Sequence, residues 1–251
     1  MRIAFIADLH ANREAGEACL AALSRAGHDR LVLLGDLVGY GADPEWAVEA
    51  CARLIDDGAI AVLGNHDAAV AAPGGGTDSG TRNPMAEAAI VWSRGRLDDA
   101  QRRWLAALPL QVEEEDRLYV HANAWAPGEW GYVANALAAS RSLAATAQRV
   151  TFCGHVHPPG LYHSMPDGPA RAFTPVPGQA IPLLRSRRWL ALPGSAGQPR
   201  DGNPAACCAL YDTDTLAMTW LRVPYDHHAA AEKIRRAGLP DALAARLAEG
   251  R

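Results

Sequence analysis

Nine residues able to do chemistry fall into five short groups: Asp8-Leu9-His10, Gly35-Asp36, Gly64-Asn65-His66-Asp67, His121 and Gly154-His155-Val156-His157. Asp8, His10, Asp36, Asn65, His121, His155 and His157 offer oxygen and imidazole nitrogen and no thiolate. Such a donor set suits manganese, iron, zinc or nickel better than a soft metal ion. Seven donors exceed what one tetrahedral zinc takes, and they match two adjacent divalent ions sharing a carboxylate. Two ions roughly 3.5–4 Å apart clamp a phosphoryl group for in-line displacement and lower the pKa of a bound water. Each group alone is a weak signal, since Asp-x-His also makes an exposed turn and Gly-Asn-His-Asp a tight one. Their joint occurrence carries the reading.

The elements between these groups say how they would be positioned. Apolar segments that read as short buried strands, at 3–7, 31–34, 59–63, 117–120 and 149–153, each run directly into one group. Open α/β sheets bind ligands beyond the carboxyl ends of their strands, so five strand ends can converge on one place. Helices are predicted over 13–26, stopped by Gly27, and from Asp43-Pro44 to Gly58. Others are predicted from Asn83-Pro84 to about 94, over 98–107 and over 133–147. Residues 73–81, containing Gly74-Gly75-Gly76, read as a surface loop without the lysine of a P-loop. Beyond about Leu161, strands at 171–176, 189–192, 205–211 and 216–222 follow one another with little helix. They are expected to pair largely antiparallel, through turns such as Asp212-Thr213-Asp214. The end, 228–249, is helix broken at Gly238-Leu239-Pro240. No linker divides the chain, so residues 1–251 read as one α/β domain with two sheets.

Composition excludes several classes. With 251 residues, 49% of them hydrophobic, the chain is long enough to bury a large core and is not disordered. A net charge of -4 argues against a stable nucleic-acid partner. No apolar run is long enough for a membrane span, and Asp8 interrupts the apolar N-terminus before any signal-peptide cleavage site. Cys19, Cys51, Cys153, Cys207 and Cys208 form no C-x-x-C pair, which points to a reducing cytoplasm rather than a disulfide framework. His28, His163, His227 and His228 stand outside the groups and read as surface or helix-end residues.

In order and approximate spacing, the five groups resemble the calcineurin-like metallophosphoesterase superfamily over residues 1–157. Pro193-Gly194-Ser195-Ala196-Gly197-Gln198-Pro199-Arg200-Asp201, Gly35-Asp36-Leu37-Val38-Gly39-Tyr40-Gly41 and Asn83-Pro84 are similar to a small bacterial, phosphodiesterase-type subgroup. The resemblance implies a four-layer αββα sandwich, two facing mixed β-sheets flanked by helices. It implies two divalent metal ions, manganese favoured over iron, zinc or nickel. One would take Asp8, His10, Asp36 and His157, the other Asp36, Asn65, His121 and His155, with Asp36 and a water or hydroxide bridging. His66 would be a catalytic acid oriented by Asp67, although the residues alone leave His66 open as a ligand. Ala11 and Ala122 place methyl groups beside the site where relatives often carry glycine.

Three residues are candidate substrate contacts. Arg200 suits bidentate phosphate binding, against a structural ion pair. Asn12 is read as a contact against a helix cap, and Tyr40 as lining the site. Trp125, Trp130 and Tyr132 could stack on a substrate ring or simply pack their loop. The expected function is hydrolysis of a small phosphodiester or nucleotide-type phosphate ester, by attack of a hydroxide held between two metals. The alternatives are a protein-phosphatase-like or dinucleoside polyphosphate hydrolase, and a non-catalytic scaffold of the same fold. The presence of every ligand and of His66 weighs against the scaffold.

Overall fold

The computed structural model describes residues 1–72, 83–166 and 168–251; the loop expected at 73–81 lies outside them. Among the described residues two six-stranded sheets form. The first runs in the order β3 (Ile60–Ala61), β2 (Arg30–Leu33), β1 (Arg2–Ile6), β11 (Ala206–Asp212), β12 (Ala217–Val223), β9 (Ile181–Pro182). The second runs β4 (Gln111–Glu114), β5 (Arg117–Val120), β6 (Val150–Phe152), β10 (Arg188–Leu192), β7 (Gly160–Ser164), β8 (Arg171–Phe173). β1, β2 and β3 are mutually parallel, as are β5, β6 and β10; the remaining pairs are antiparallel. The helices are α1 (Arg13–Ala26), α2 (Pro44–Asp56), α3 (Asn65–Ala71), α4 (Pro84–Arg96), α5 (Asp99–Ala106), α6 (Ala136–Ala144), α7 (His227–Arg236) and α8 (Asp241–Glu249).

The apolar runs explain the layers. A strand covered on both faces needs apolar side chains at every position. In β1, Ile3 and Phe5 enter the core between the sheets, whereas Ala4 and Ile6 face Cys19 and Leu23 of α1 and Val48 of α2. Phe5 stacks on Phe152 of the opposite sheet with ring centres 4.2 Å apart. On the far side, Leu118 and Val120 of β5 pack against Ala139 and Leu143 of α6. The order is therefore helix, sheet, sheet, helix. A separate cluster joins α4, α7 and α8 around Tyr40. No helix among the described residues is long and apolar enough to cross a membrane.

Most expected elements appear, with differences that have local causes. α1 and β5 carry the expected bounds. Asn12 and Asn83 cap α1 and α4 by accepting from Ala15 and Met85 amides. Asp43 does not cap α2, because its carboxylate turns to Lys233 Nζ instead. β10 pairs in parallel with β6 on one side, so the second half is not uniformly antiparallel. The expected turn at Asp212 forms, with its carboxylate accepting from the Asp214 and Thr215 amides.

Candidate metal centre

The five groups meet where the strands end. Loops within each sheet are tied together by the backbone: Asp8 N–H donates to Gly35 O (3.1 Å) and His10 N–H to Asp36 O (2.9 Å) in the first, and Gly154 N–H to His121 O (2.9 Å) in the second. Ala196 and Gly197 amides donate to Ala7 and Asp8 carbonyls, bringing in the loop that carries Arg200. Asp8, His10, Asp36, His155 and His157 all lie in the left-handed region, with φ between 50° and 72°. Non-glycine residues there cost about 1–3 kcal/mol each and persist where surroundings fix them, often at functional sites. Gly35, at φ 80°, is also confined sterically: a Cβ there would sit 2.8 Å from His121 Nδ1.

Four imidazoles share one arrangement. Nδ1 of His10, His121 and His157 faces the carbonyls of Val38 (3.2 Å), Leu34 (2.7 Å) and Gln198 (2.6 Å), and His155 Nε2 faces Trp130 O (2.9 Å). A carbonyl accepts only, so each of these nitrogens carries the proton. The opposite nitrogens then turn lone pairs towards one another. His10 Nε2 lies 3.2 Å from His157 Nε2, and His121 Nε2 lies 3.2 Å from His155 Nδ1 and 3.1 Å from Asn65 Oδ1. Asp36 Oδ2 sits between the two sets, 3.7 Å from His10 Nε2 and 3.5 Å from His121 Nε2. Asp36 Oδ1 is held by the His66 amide (2.9 Å), and both Asp8 oxygens accept from the His155 amide.

Acceptors crowded together in the interior call for positive charge. Burial pushes the Asp8 carboxyl up to about 7, and neighbouring Asp36 adds to that. Burial opposes charge on Asp36 too, but the His121, His66 and His10 rings outweigh it and hold its pKa well below the usual range. His121 is driven the other way, with burial lowering it and the Asp36 carboxylate raising it to about 9. Divalent ions fit the same donors: Asp8, His10 and His157, Asp36, His121 and His155, and His10, Asp36 and His66 each bring ligand atoms within 4.8 Å of one another. Ligand histidines ordinarily anchor their second nitrogen on a carbonyl or carboxylate, which is the arrangement of His10, His121, His155 and His157.

The other expected residues divide. His66 is buried between His10 and Tyr40, ring centres 4.9 and 4.5 Å away, and its Nδ1 has no partner. Asp67, expected to orient that ring, instead accepts from the Leu37 and Val38 amides through Oδ1 and the Gly64 amide through Oδ2. It braces the Asp36 and Asn65 loops against each other. Asn12, expected on the substrate, has its oxygen on the Ala15 amide and its NH2 on Gly197 O and Tyr225 Oη. Its donors and acceptor are thus all engaged within the protein. Tyr40 lies 4.6 Å from the His10 ring, and the Arg200 guanidinium sits 5.6 Å from the Tyr40 ring centre. Ala11 adopts φ 49° and, like Ala122, is fully buried. Tyr132 stacks on His155 at 4.0 Å, and Trp125 lies under Arg141.

Sequence reasoning missed two contributors. Gln198 holds His157 with its carbonyl and the Arg200 guanidinium with its side chain; the quoted Pro193–Asp201 segment was its only signal. Arg246 of α8 is close enough for its charge to be felt at the Tyr40 phenol, and nothing in its helix-end position announces that.

The family model of the calcineurin-like phosphoesterase superfamily domain matches residues 1–216. An uncharacterized protein of Methanocaldococcus jannaschii is 32% identical over 99% of this chain and 98% of its own length. The crystal structure of a metallophosphoesterase from Sphaerobacter thermophilus superimposes with TM-score 0.85 and 35% identity, covering 100% of this chain and 99% of that one. A symmetrical bis(5'-nucleosyl)-tetraphosphatase of Neisseria meningitidis is 37% identical over 98 residues, 38% of this chain and 33% of that protein.

Proposed function

Because the chain belongs to the calcineurin-like phosphoesterase superfamily, we propose that this hydrolase acts on a small phosphodiester or nucleotide-type substrate at the cluster around Asp36. The observation that carries the reading is the convergence of imidazole lone pairs and carboxylate oxygens on either side of Asp36 Oδ2. Asp8, His10, Asp36 and His157 would hold one divalent ion, and Asp36, Asn65, His121 and His155 a second, with manganese favoured. When bound, such a pair offsets phosphoryl charge and makes a nucleophile available from water at neutral pH.

The protein's own groups do the rest. Arg200 and Tyr40 orient the phosphate ester, Arg200 through its planar fork of donors. His66, with Nδ1 packed against Gly39, carries its proton on Nε2 and passes it to the leaving oxygen. Burial lowers its pKa, so the imidazolium, once the ring has taken a proton from water, is a strong acid that gives that proton up as charge builds on the leaving oxygen and returns to the neutral ring. A cavity of about 650 Å³ lined by Trp125, Tyr132, Leu137 and Arg141 shares Tyr132 with the site. Its aromatic walls suit a base or similar ring, which supports the nucleotide-type reading. The five cysteines are free and buried, in keeping with a cytoplasmic location, and we take residues 1–251 as a single catalytic domain.

A second reading, hydrolysis of a dinucleoside polyphosphate, draws on the likeness to the tetraphosphatase. The test of the first is hydrolysis of bis-p-nitrophenyl phosphate by metal-stripped protein, with manganese, nickel, zinc, magnesium or nothing added back. Turnover restored by manganese above the others is the expected result. Absence of turnover with metal demonstrably loaded would overturn the diesterase reading.

A further inference from the structure

A second cavity, of about 420 Å³, meets the site at Arg200. Arg246 and Glu249 of α8 and the terminal Arg251 line it, with Asn83 and Met85 at the start of α4. Arg251 is within ion-pair distance of Glu249 (3.5 Å). Among the described residues Arg200 bonds the uncharged Gln198 and Tyr40 side chains, and neither it nor Arg246 makes an ion pair. Two half-buried guanidinium groups thus share one hollow without a carboxylate of their own, an arrangement that recruits an anion.

Their placement is fixed by the fold. α8 ends at Gly250 with φ 65°, and the Arg251 amide closes back on Arg246 O (3.2 Å). Gly250 O accepts from the Gly202 amide (2.9 Å), and a Cβ on Gly250 would press on Asn203. The helix end carrying Arg246 is thereby locked onto the turn carrying Arg200. Tyr40 lies within reach of both charges. α8 lies beyond residues 1–216, the part matched by the family model, but within the length shared with the Methanocaldococcus and Sphaerobacter proteins.

We propose that Arg246 and Arg200 bind a second anionic group of the substrate, which therefore carries a phosphate chain rather than a single diester phosphate. The inference rests on the phosphoesterase reading and narrows its substrate class to esters of di- or polyphosphates.

The experiment compares wild type, Arg246→Gln and Arg246→Lys in the full chain. With manganese loaded, kcat/KM is measured on diadenosine tetraphosphate and on bis-p-nitrophenyl phosphate. Binding of inorganic tripolyphosphate is followed by calorimetry with and without manganese. The expected result for Arg246→Gln is a fall of about tenfold in the ratio of the two kcat/KM values. Tripolyphosphate affinity should fall by a similar factor, as for one lost charge-assisted contact. Arg246→Lys should recover part of both. An unchanged ratio, or tripolyphosphate binding indifferent to the substitution, overturns the proposal. If wild type hydrolyses neither compound, the phosphoesterase reading fails, and the calorimetric arm alone decides the anion pocket: weaker binding by Arg246→Gln upholds it and equal binding removes it.

Discussion

His66 differs from the imidazoles around it in one respect. His10, His121, His155 and His157 each give an N–H to a backbone carbonyl, whereas His66 Nδ1 faces Gly39 without a partner. A ring that holds a metal benefits from that second anchor; a ring that donates and regains a proton does not require it. His66→Asn is therefore expected to lower kcat on bis-p-nitrophenyl phosphate by about 10²–10⁴-fold, while manganese measured by plasma mass spectrometry stays at the wild-type level. Asp36→Asn should lose metal and turnover together. Parallel metal loss in both variants would return His66 to the ligand set. At this scale the sequence was informative, because imidazole and carboxylate in fixed order have few other uses, and the residues so marked are those the structure gathers. Asn12 reads either as a substrate contact or as a helix cap, and the role of Asp67 was not legible, since an Asp beside a motif looks alike whether it meets substrate or a backbone amide.

Between elements, Asp67 is the most telling contact. Its carboxylate ties the turn after β2 to the start of α3 through three amide donors. Removing it strands those donors in the interior, where an unmet buried donor costs about 1–3 kcal/mol. Asp67→Ala is expected to lose about 3 kcal/mol, seen by calorimetry as a melting temperature roughly 6–12 °C lower. Asp67→Asn, which keeps one acceptor oxygen, should fall between. A melting point unmoved by Asp67→Ala would show that water replaces the carboxylate. Elements were legible where local chemistry sets them: α1 begins at an Asn cap and stops at Gly27, and both ends were read to the residue. β7 was missed because Gly160, His163 and Ser164 give no alternation, and its strand character comes from β10, some 28 residues later. β9 is two residues long and exists only as a partner of β12. α3 was hidden for a different reason, as it starts at Asn65 inside the motif itself, behind a glycine with no capping side chain.

For the molecule as a whole, the layer order was implied by resemblance rather than by periodicity, because pairing β1 with β11 joins the two ends of the chain. The same long-range closure is repeated by charge. Lys233, the only lysine, reaches from α7 to Glu14 of α1 (2.6 Å) and to Asp43 ahead of α2 (2.9 Å). It thereby holds the α7–α8 pair, and Arg246 with it, against the body. Burial works against the ammonium, but the hydrogen bonds to Glu14 and Asp43 prevail and raise its pKa above the ordinary 10.5. A group whose folded pKa is raised stabilises the fold fully below its unfolded pKa and loses that contribution as pH climbs through the folded one. Lys233→Met is accordingly expected to cost about 1 kcal/mol at pH 7, because the pair is still one-third exposed and partly screened. That is a melting temperature some 2–4 °C lower. The gap between variant and wild type should hold from pH 7 to 9 and close only above about 10.5. A gap that closes between pH 7 and 9 would mean that Lys233 is already neutral there and that apolar packing, not charge, holds the C-terminal helices in place.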